Sequence, residues 1–213
     1  MSNSIDLTAF ENEVRRWNKQ FSLISRQNSE LMLQQLICES LDSYTAFMNW
    51  SQINSLKLEG FKRINYFDLG SGAGFPGIIW QSLFERDFGN KINGYLVEPR
   101  EKRAWFLERC SRLQGHTELQ VINERWKKQL LTNTPESINI ISIKALLLTD
   151  AEIIKELPDQ SQVLICRFHN PQTALDDCLR EKLWLPDNAQ IVKFSSDGNK
   201  SSILISRHTN CST

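Results

Sequence analysis

Gly70, Gly72 and Gly74 recur at alternate positions inside the run Phe67-Asp68-Leu69-Gly70-Ser71-Gly72-Ala73-Gly74-Phe75-Pro76-Gly77. Residues without a Cβ allow backbone angles and close approaches that other side chains forbid, so the peptide N–H groups of this run can face a ligand. The preceding Ile64-Asn65-Tyr66-Phe67-Asp68-Leu69 is rich in β-branched and aromatic residues. It predicts a strand buried on both faces and stopped by Gly70. Pro76 suits a first helical turn, where its missing N–H costs nothing, and marks the start of the next helix. Strand, glycine loop and helix in that order form a cradle for a nucleotide-type cofactor.

The spacing narrows the cofactor. A dinucleotide site reads G-x-G-x-x-G, its third glycine letting the helix pack tightly under a pyrophosphate. This chain reads G-x-G-x-G, and Phe75 stands where that glycine belongs. A ring there fits a ligand without phosphate, such as S-adenosylmethionine. Tyr95-Leu96-Val97 predicts the neighbouring strand, and Glu98 follows it. A carboxylate at that tip is suited to accept hydrogen bonds from both ribose hydroxyls. NAD enzymes also use an acid there, so Glu98 points to a ribose without choosing the cofactor.

The elements that must hold this loop follow from periodicity. Thr8 and Glu11 form a capping-box pattern ahead of Phe10, Val14, Trp17 and Phe21, which recur at helical spacing. A second helix carries Leu33, Leu36, Ile37, Leu41, Tyr44 and Met48 on one side. Both stripes read as core, and the two helices are expected to cover an edge or the mouth of the sheet. Beyond Ile64, the apolar runs Tyr95–Val97, Leu119–Ile122, Ile138–Ser142 and Val163–Arg167 alternate with helical patterns, which implies a parallel sheet covered on both faces. Thr149 and Glu152 form a second capping box after the fourth strand. Ile191–Phe194 and Ile203–Ser206 flank a loop of turn formers, Ser195 to Lys200, and predict a terminal hairpin. The expected fold is α/β, a Rossmann-like, mostly parallel sheet closed by an antiparallel hairpin, the arrangement of class I S-adenosylmethionine-dependent methyltransferases. The 213 residues suit one such domain, with residues 1–58 as a helical cap and 62–213 as the cofactor-binding core.

Composition excludes other classes. Lys plus Arg and Asp plus Glu each number 25, so any polyanion site must be a local patch. Five cysteines, Cys38, Cys110, Cys166, Cys178 and Cys211, are scattered without a C-x-x-C pair, which argues against disulfides and structural zinc and for a reducing cytosol. No signal-peptide pattern is read, and the most apolar stretch, Ile138 to Leu148, is too short to span a bilayer. His116, His169 and His208 stand at no metal or nucleophile spacing and read as packing or surface residues, so no metal is expected. Cys166 lies inside an apolar strand and reads as a buried small residue rather than a nucleophile.

Asp68-Leu69-Gly70-Ser71-Gly72-Ala73-Gly74-Phe75-Pro76-Gly77-Ile78 resembles the D-V-G-S-G-A-G-F-P-G-[IL] signature of the RsmG family, also called glucose-inhibited division protein B. Arg16-Trp17-Asn18-Lys19-Gln20-Phe21-Ser22-Leu23 is similar to that family's K-W-N-K-x-x-N-L, Leu41-Asp42-Ser43 to its L-D-S, and Lys102-Arg103-Ala104-Trp105-Phe106-Leu107 to its K-R-x-x-F-L. The resemblance implies methylation of N7 of a guanine in small-subunit (16S) rRNA, with the cytoplasmic ribosomal RNA or ribosomal particle as partner and a monomeric enzyme. It implies cofactor contacts at Asp68, Gly70, Ser71, Gly72, Gly74, Phe75, Glu98, Trp126, Lys127 and Lys144. Guanine N7 already carries a lone pair, so no general base is expected; orientation and a dry pocket suffice. The [DN]-P-P-[YF] loop of adenine-N6 enzymes has no counterpart in Ile143-Lys144-Ala145-Leu146.

This chain departs from the family at identifiable positions. Cys38-Glu39 replaces an Arg-His pair, Lys127 replaces an acid near the adenine, Ile143-Lys144-Ala145 replaces S-R-A, and Arg167-Phe168 replaces Lys-Gly. Lys144 keeps a positive charge without arginine's planar fork. These departures leave open a diverged methyltransferase acting on another RNA or a small molecule, and a non-catalytic cofactor-binding protein. For RNA, Lys144 is the leading candidate contact. Lys102, Trp105, Arg109 and Arg112 share one helical stripe that could hold phosphates and stack a base, or form a solvated face with the indole packed on the sheet.

Overall fold

The strand expected at Ile64 to Leu69 is β1 (Arg63–Leu69), buried throughout from Ile64 onward, in the computed structural model, which describes residues 5–126, 136–144, 146, 148, 152–153, 162–169, 189–196 and 199–209. β2 (Ile92–Val97), β3 (Leu119–Ile122), β4 (Ser137–Ile143), β5 (Gln162–His169), β6 (Gln190–Ser196) and β7 (Asn199–Thr209) complete the sheet among the described residues. Its order is β3-β2-β1-β4-β5-β7-β6. The first five strands of that order run parallel, and β7 lies antiparallel between β5 and β6. The terminal hairpin is longer than its apolar residues suggest: pairing continues to Ser196 opposite Asn199, so most of the expected loop is strand. Thr149, Lys127, Cys178 and Cys211 lie outside the described residues.

Period-2 alternation divides β1 between two apolar clusters. Ile64 and Tyr66 join one side with Leu96, Ile138 and Ile140, while Phe67 and Leu69 join Val97, Ile141 and Ile143 on the other. Asparagines paired in register satisfy one another across the sheet: Asn93 Nδ2 donates to Asn65 Oδ1 at 3.1 Å, and Asn65 Nδ2 donates to Asn139 Oδ1 at 3.2 Å. A buried amide without such a partner would cost about 1–3 kcal/mol.

The helices that frame this sheet include α1 (Thr8–Asn18), α2 (Ser29–Ile53), α3 (Gly77–Phe88) and α4 (Glu101–Gln114). The capping box at Thr8 is not formed. Thr8 is the first helical residue, and its N–H donates to Asp6 Oδ1 at 2.9 Å, two residues upstream. Phe10 and Val14 of the α1 stripe and Leu33, Ile37 and Tyr44 of the α2 stripe are buried as core. α2 packs on α3 and on β6, with Trp80 Nε1 donating to Ser40 O at 3.0 Å and Tyr44 Oη donating to Asp87 at 2.8 Å.

α1 seats on α4, which sequence periodicity does not specify. Glu13, buried, accepts a two-pronged bond from Arg109, from Nε and from Nη2 at 3.1 Å, and a third from Trp17 Nε1 at 2.7 Å. Trp17 meets Trp105 edge-on with centroids 4.7 Å apart. The Arg109 bond holds the Glu13 carboxyl below the usual glutamate range against the upward push of burial. Its contribution is therefore complete above the ordinary glutamate pKa of about 4.3 and is lost as pH falls through the lower folded value. Glu13→Gln is expected to cost about 1–3 kcal/mol at neutral pH and to flatten the acid limb of stability below pH about 4.3. Urea titrations across pH check both, and an unchanged acid limb refutes the assignment.

Candidate active site

Strand register decides which residues meet. Leu69 pairs with Val97 and with Ile143, and Ile143 pairs with Arg167. The parallel strands β2, β1, β4 and β5 therefore end side by side, so Glu98, the glycine loop, Lys144 and Phe168 stand along one edge. Ligands of open α/β sheets bind at that carboxyl edge.

The glycine loop serves there differently from the expectation. Gly70, Gly72 and Gly74 all have positive φ, at 73°, 55° and 90°. Their amides do not face outward. Gly70 N–H and Ser71 N–H donate to Val97 O at 2.8 and 3.3 Å, Gly74 N–H donates to Ser71 O at 2.7 Å, and Gly72 N–H donates to Glu98 Oε2 at 2.9 Å. These donors are therefore satisfied within the chain itself. The close-approach glycine of the dinucleotide pattern also has a counterpart, two residues past Phe75. A Cβ on Gly77 would stand 2.5 Å from Asp68 Oδ2 and 2.7 Å from Leu96 Cδ2, so α3 sits on the sheet only because Gly77 carries none. Phe75 is buried against Phe10 of α1, with centroids 5.1 Å apart, and its ring joins the apolar core. Pro76 precedes the first helical residue and occupies the cap position.

Glu98 is 3% exposed and holds two partners, Gly72 N–H on Oε2 and Arg100 N–H on Oε1, the latter at 2.9 Å. A carboxylate has about four acceptor sites, which leaves capacity for a pair of hydroxyl donors. Trp126 lies on the sheet face opposite α3, edge-on to Phe67 at 5.8 Å, and its buried Nε1 has no hydrogen-bond partner among the described residues. Asp68 faces α3. Ser142 Oγ donates to its Oδ1 at 2.5 Å, Tyr66 Oη lies 2.9 Å from Ser142 Oγ, and Asp68 Oδ2 is buried without a hydrogen-bond partner. Burial pushes the Asp68 carboxyl up to about 6, opposed by the Ser142 bond. Ser71 Oγ turns back to Asp68 O at 2.7 Å and closes the loop.

Lys144 does not stand alone. Its Nζ is 2.5 Å from Glu39 Oε2 and 5.7 Å from the centre of the Phe168 ring, so two of the family departures, Glu39 and Lys144, form one ion pair. The α4 stripe divides. Lys102 and Arg112 are exposed, but Arg109 is committed to Glu13, and Trp105, 42% exposed, packs on Trp17 of α1 rather than on the sheet. Arg103, adjoining the stripe, comes nearer the loop: its Nη1 lies 3.4 Å from where a Cβ on Gly72 would stand. Sequence spacing had no way to single it out, because the signal is a contact between α4 and the loop. Cys166 is buried in β5. His116 contacts Glu85 Oε2 at 2.7 Å and Ser82 Oγ at 3.3 Å, yet its side chain is 3% exposed and Ser82 donates to Ile78 O, so the trio ties α3 to the end of α4. His169's side chain is outside the described groups.

Residues 3–167 match the GidB family, described as rRNA small subunit methyltransferase G. The chain belongs to this family. Ribosomal RNA small subunit methyltransferase G of Rickettsia akari is 27% identical over 183 residues, 85% of this chain and 82% of that protein. The Zymomonas mobilis protein of the same name is 31% identical over 147 residues, 68% of this chain and 60% of its own. Among solved structures, a human methyltransferase 10 domain containing protein aligns at 10% identity and a TM-score of 0.49, over 76% of this chain and 81% of that one. As a GidB family member the chain is an S-adenosylmethionine-dependent methyltransferase by descent, and its sheet is the expected mostly parallel one with an antiparallel hairpin at its end. No described helix is long and apolar enough to cross a membrane.

Two substitutions test this geometry. Gly77→Ala is expected to destabilise the protein by about 1–3 kcal/mol through overpacking, read from denaturant unfolding; a variant as stable as the parent would show that α3 does not depend on the bare Cα. For Asp68, the raised folded pKa means its unfavourable contribution is absent below the ordinary aspartate value, grows as pH rises towards about 6 and is then constant. Asp68→Asn is expected to remove a stability loss on the order of 3 kcal/mol across that window, measured as urea midpoints between pH 4 and 7.

Proposed function

We propose that this GidB family member transfers the methyl group of S-adenosylmethionine to N7 of a guanine in small-subunit rRNA. The observation that carries the reading is the alignment, by register, of Glu98, the glycine loop and Lys144 along one carboxyl edge. The residues fit the cofactor: Glu98 has unused acceptor capacity for ribose hydroxyls, loop amides closed on the chain itself suit a ligand without phosphate, and the unsatisfied Trp126 Nε1 offers a donor beside an apolar strip of Phe67, Val97 and Ile122. When bound, that cofactor supplies an electrophilic methyl group: the N7 lone pair forms the new C–N bond, the S–C electron pair stays on sulfur, and the positive charge passes to the purine.

Every remaining task belongs to the protein. No proton leaves the reacting nitrogen, so the chain needs no base and contributes by orienting two ligands and excluding water. Glu98 fixes the ribose, the loop sets the depth of the pocket, and the cations Arg103 and Lys102 of α4 give a net-neutral protein a local surface for a polyanion.

Nucleoside mass spectrometry on rRNA from cells with and without the gene is expected to show one N7-methylguanosine lost from the small subunit in the deletion strain; full retention refutes the reading. In calorimetry, Glu98→Ala is expected to weaken S-adenosylmethionine binding about 100-fold or more, as loss of two hydrogen bonds to a charged acceptor implies.

A further inference from the structure

Glu39 and Lys144 form a paired donor and acceptor at the carboxyl edge, and the surroundings hold both in place. Their side chains are 18% and 24% exposed. Trp80 is fully buried and fastens the two sides together: its Nε1 donates to Ser40 O, one residue from Glu39, and its ring lies 5.8 Å from that of Phe168, over which the Lys144 ammonium sits. An ammonium offers three donors and a carboxylate about four acceptor sites, so the pair keeps bonding capacity on its open side.

We propose, resting on the guanine-N7 reading above, that this pair reads the Watson–Crick edge of the acceptor base. Lys144 donates to guanine O6, and Glu39 accepts from N1–H and from the N2 amino group. The order donor, acceptor, acceptor is the one cytosine presents to guanine. Adenine places a donor against Lys144 and a lone pair against Glu39, so it is rejected by two like-facing contacts. Such a contact leaves N7, on the opposite side of O6, free to react.

The charges give the pair a part in the rate as well as in the choice of base. Methylation at N7 leaves the purine positive and makes N1–H a stronger donor. The Glu39 bond therefore strengthens as the reaction proceeds, which is stabilisation of the transition state beyond that of the bound substrate. Lys144 alone would oppose the developing charge; beside Glu39 it is neutralised. This accounts for both departures at once, because an acid in α2 and a lysine after β4 are useful to this chemistry only together.

The test is steady-state transfer by the full-length protein to an RNA fragment carrying the mapped site, with the target as guanosine or as inosine, which lacks the N2 amino group. The parent is expected to lose about tenfold or more in kcat/KM on inosine. Glu39→Gln is expected to lose about 100-fold on guanosine, chiefly in kcat, with the guanosine-to-inosine ratio falling towards one, and Glu39→Asp to recover part of both. Lys144→Gln is expected to lose activity while keeping that ratio. A folded Glu39→Gln protein, judged by circular dichroism, that retains the parent's ratio overturns the proposal; so does a parent that treats the two bases alike, which decides the matter even if the variant does not fold. A parent that transfers no methyl group to small-subunit RNA at all refutes the functional reading itself, a different result.

Discussion

The site depends on the parallel register of β2, β1, β4 and β5. Because Leu69, Val97, Ile143 and Arg167 lie level across the sheet, four chain segments far apart in sequence leave it at the same height. A slip of one residue in any strand would turn its side chains to the other face and withdraw its contribution from the edge. Two features oppose such a slip. The asparagines Asn93, Asn65 and Asn139 satisfy one another only in this register. The close seat of α3 at Gly77 fits only one disposition of Asp68 and Leu96.

With the edge in place, the N-terminal helices complete the site. α1 supports the glycine loop from outside, Phe10 against Phe75, and is itself held to α4 through Glu13 and Arg109. α2 brings Glu39 to Lys144, with Trp80 of α3 as the fastening. The tasks are divided accordingly. The sheet and its loop carry groups suited to the cofactor, and α2 with the tips of β4 and β5 carries groups suited to an acceptor base. A chain without net charge thus joins a few partly buried polar groups at the sheet edge to the local cations Lys102 and Arg103 of α4.

The glycine run and the acid after the next strand were legible in the sequence because their chemistry is local: positive φ is a property of single residues, and Glu98 follows directly on an apolar run. The strands were legible because burial on both faces leaves continuous apolar runs. What the loop amides do was not. Their acceptors, Val97 O and Glu98 Oε2, lie on another strand, and no spacing encodes that they are taken. Likewise Thr8 and Glu11 match a capping pattern, yet Asp6 supplies the acceptor, because the entry angle of the chain decides which side chain reaches the first free amide.

The α4 stripe shows the same division most clearly. Sequence placed Lys102, Trp105, Arg109 and Arg112 on one side of a helix, a matter of periodicity alone, while packing against α1 decided that Trp105 and Arg109 are engaged within the protein. It showed Cys38-Glu39 and Lys144 as separate departures from a family pattern; only the fold, by carrying α2 over the end of β4, made Glu39 and Lys144 one ion pair. By itself, then, the sequence determined the elements, the loop and the family, since these rest on local backbone freedom and apolar periodicity. Tertiary structure decided which polar groups find each other, because a hydrogen bond or ion pair across 105 residues exists only when register and helix packing bring its two ends within about 3 Å.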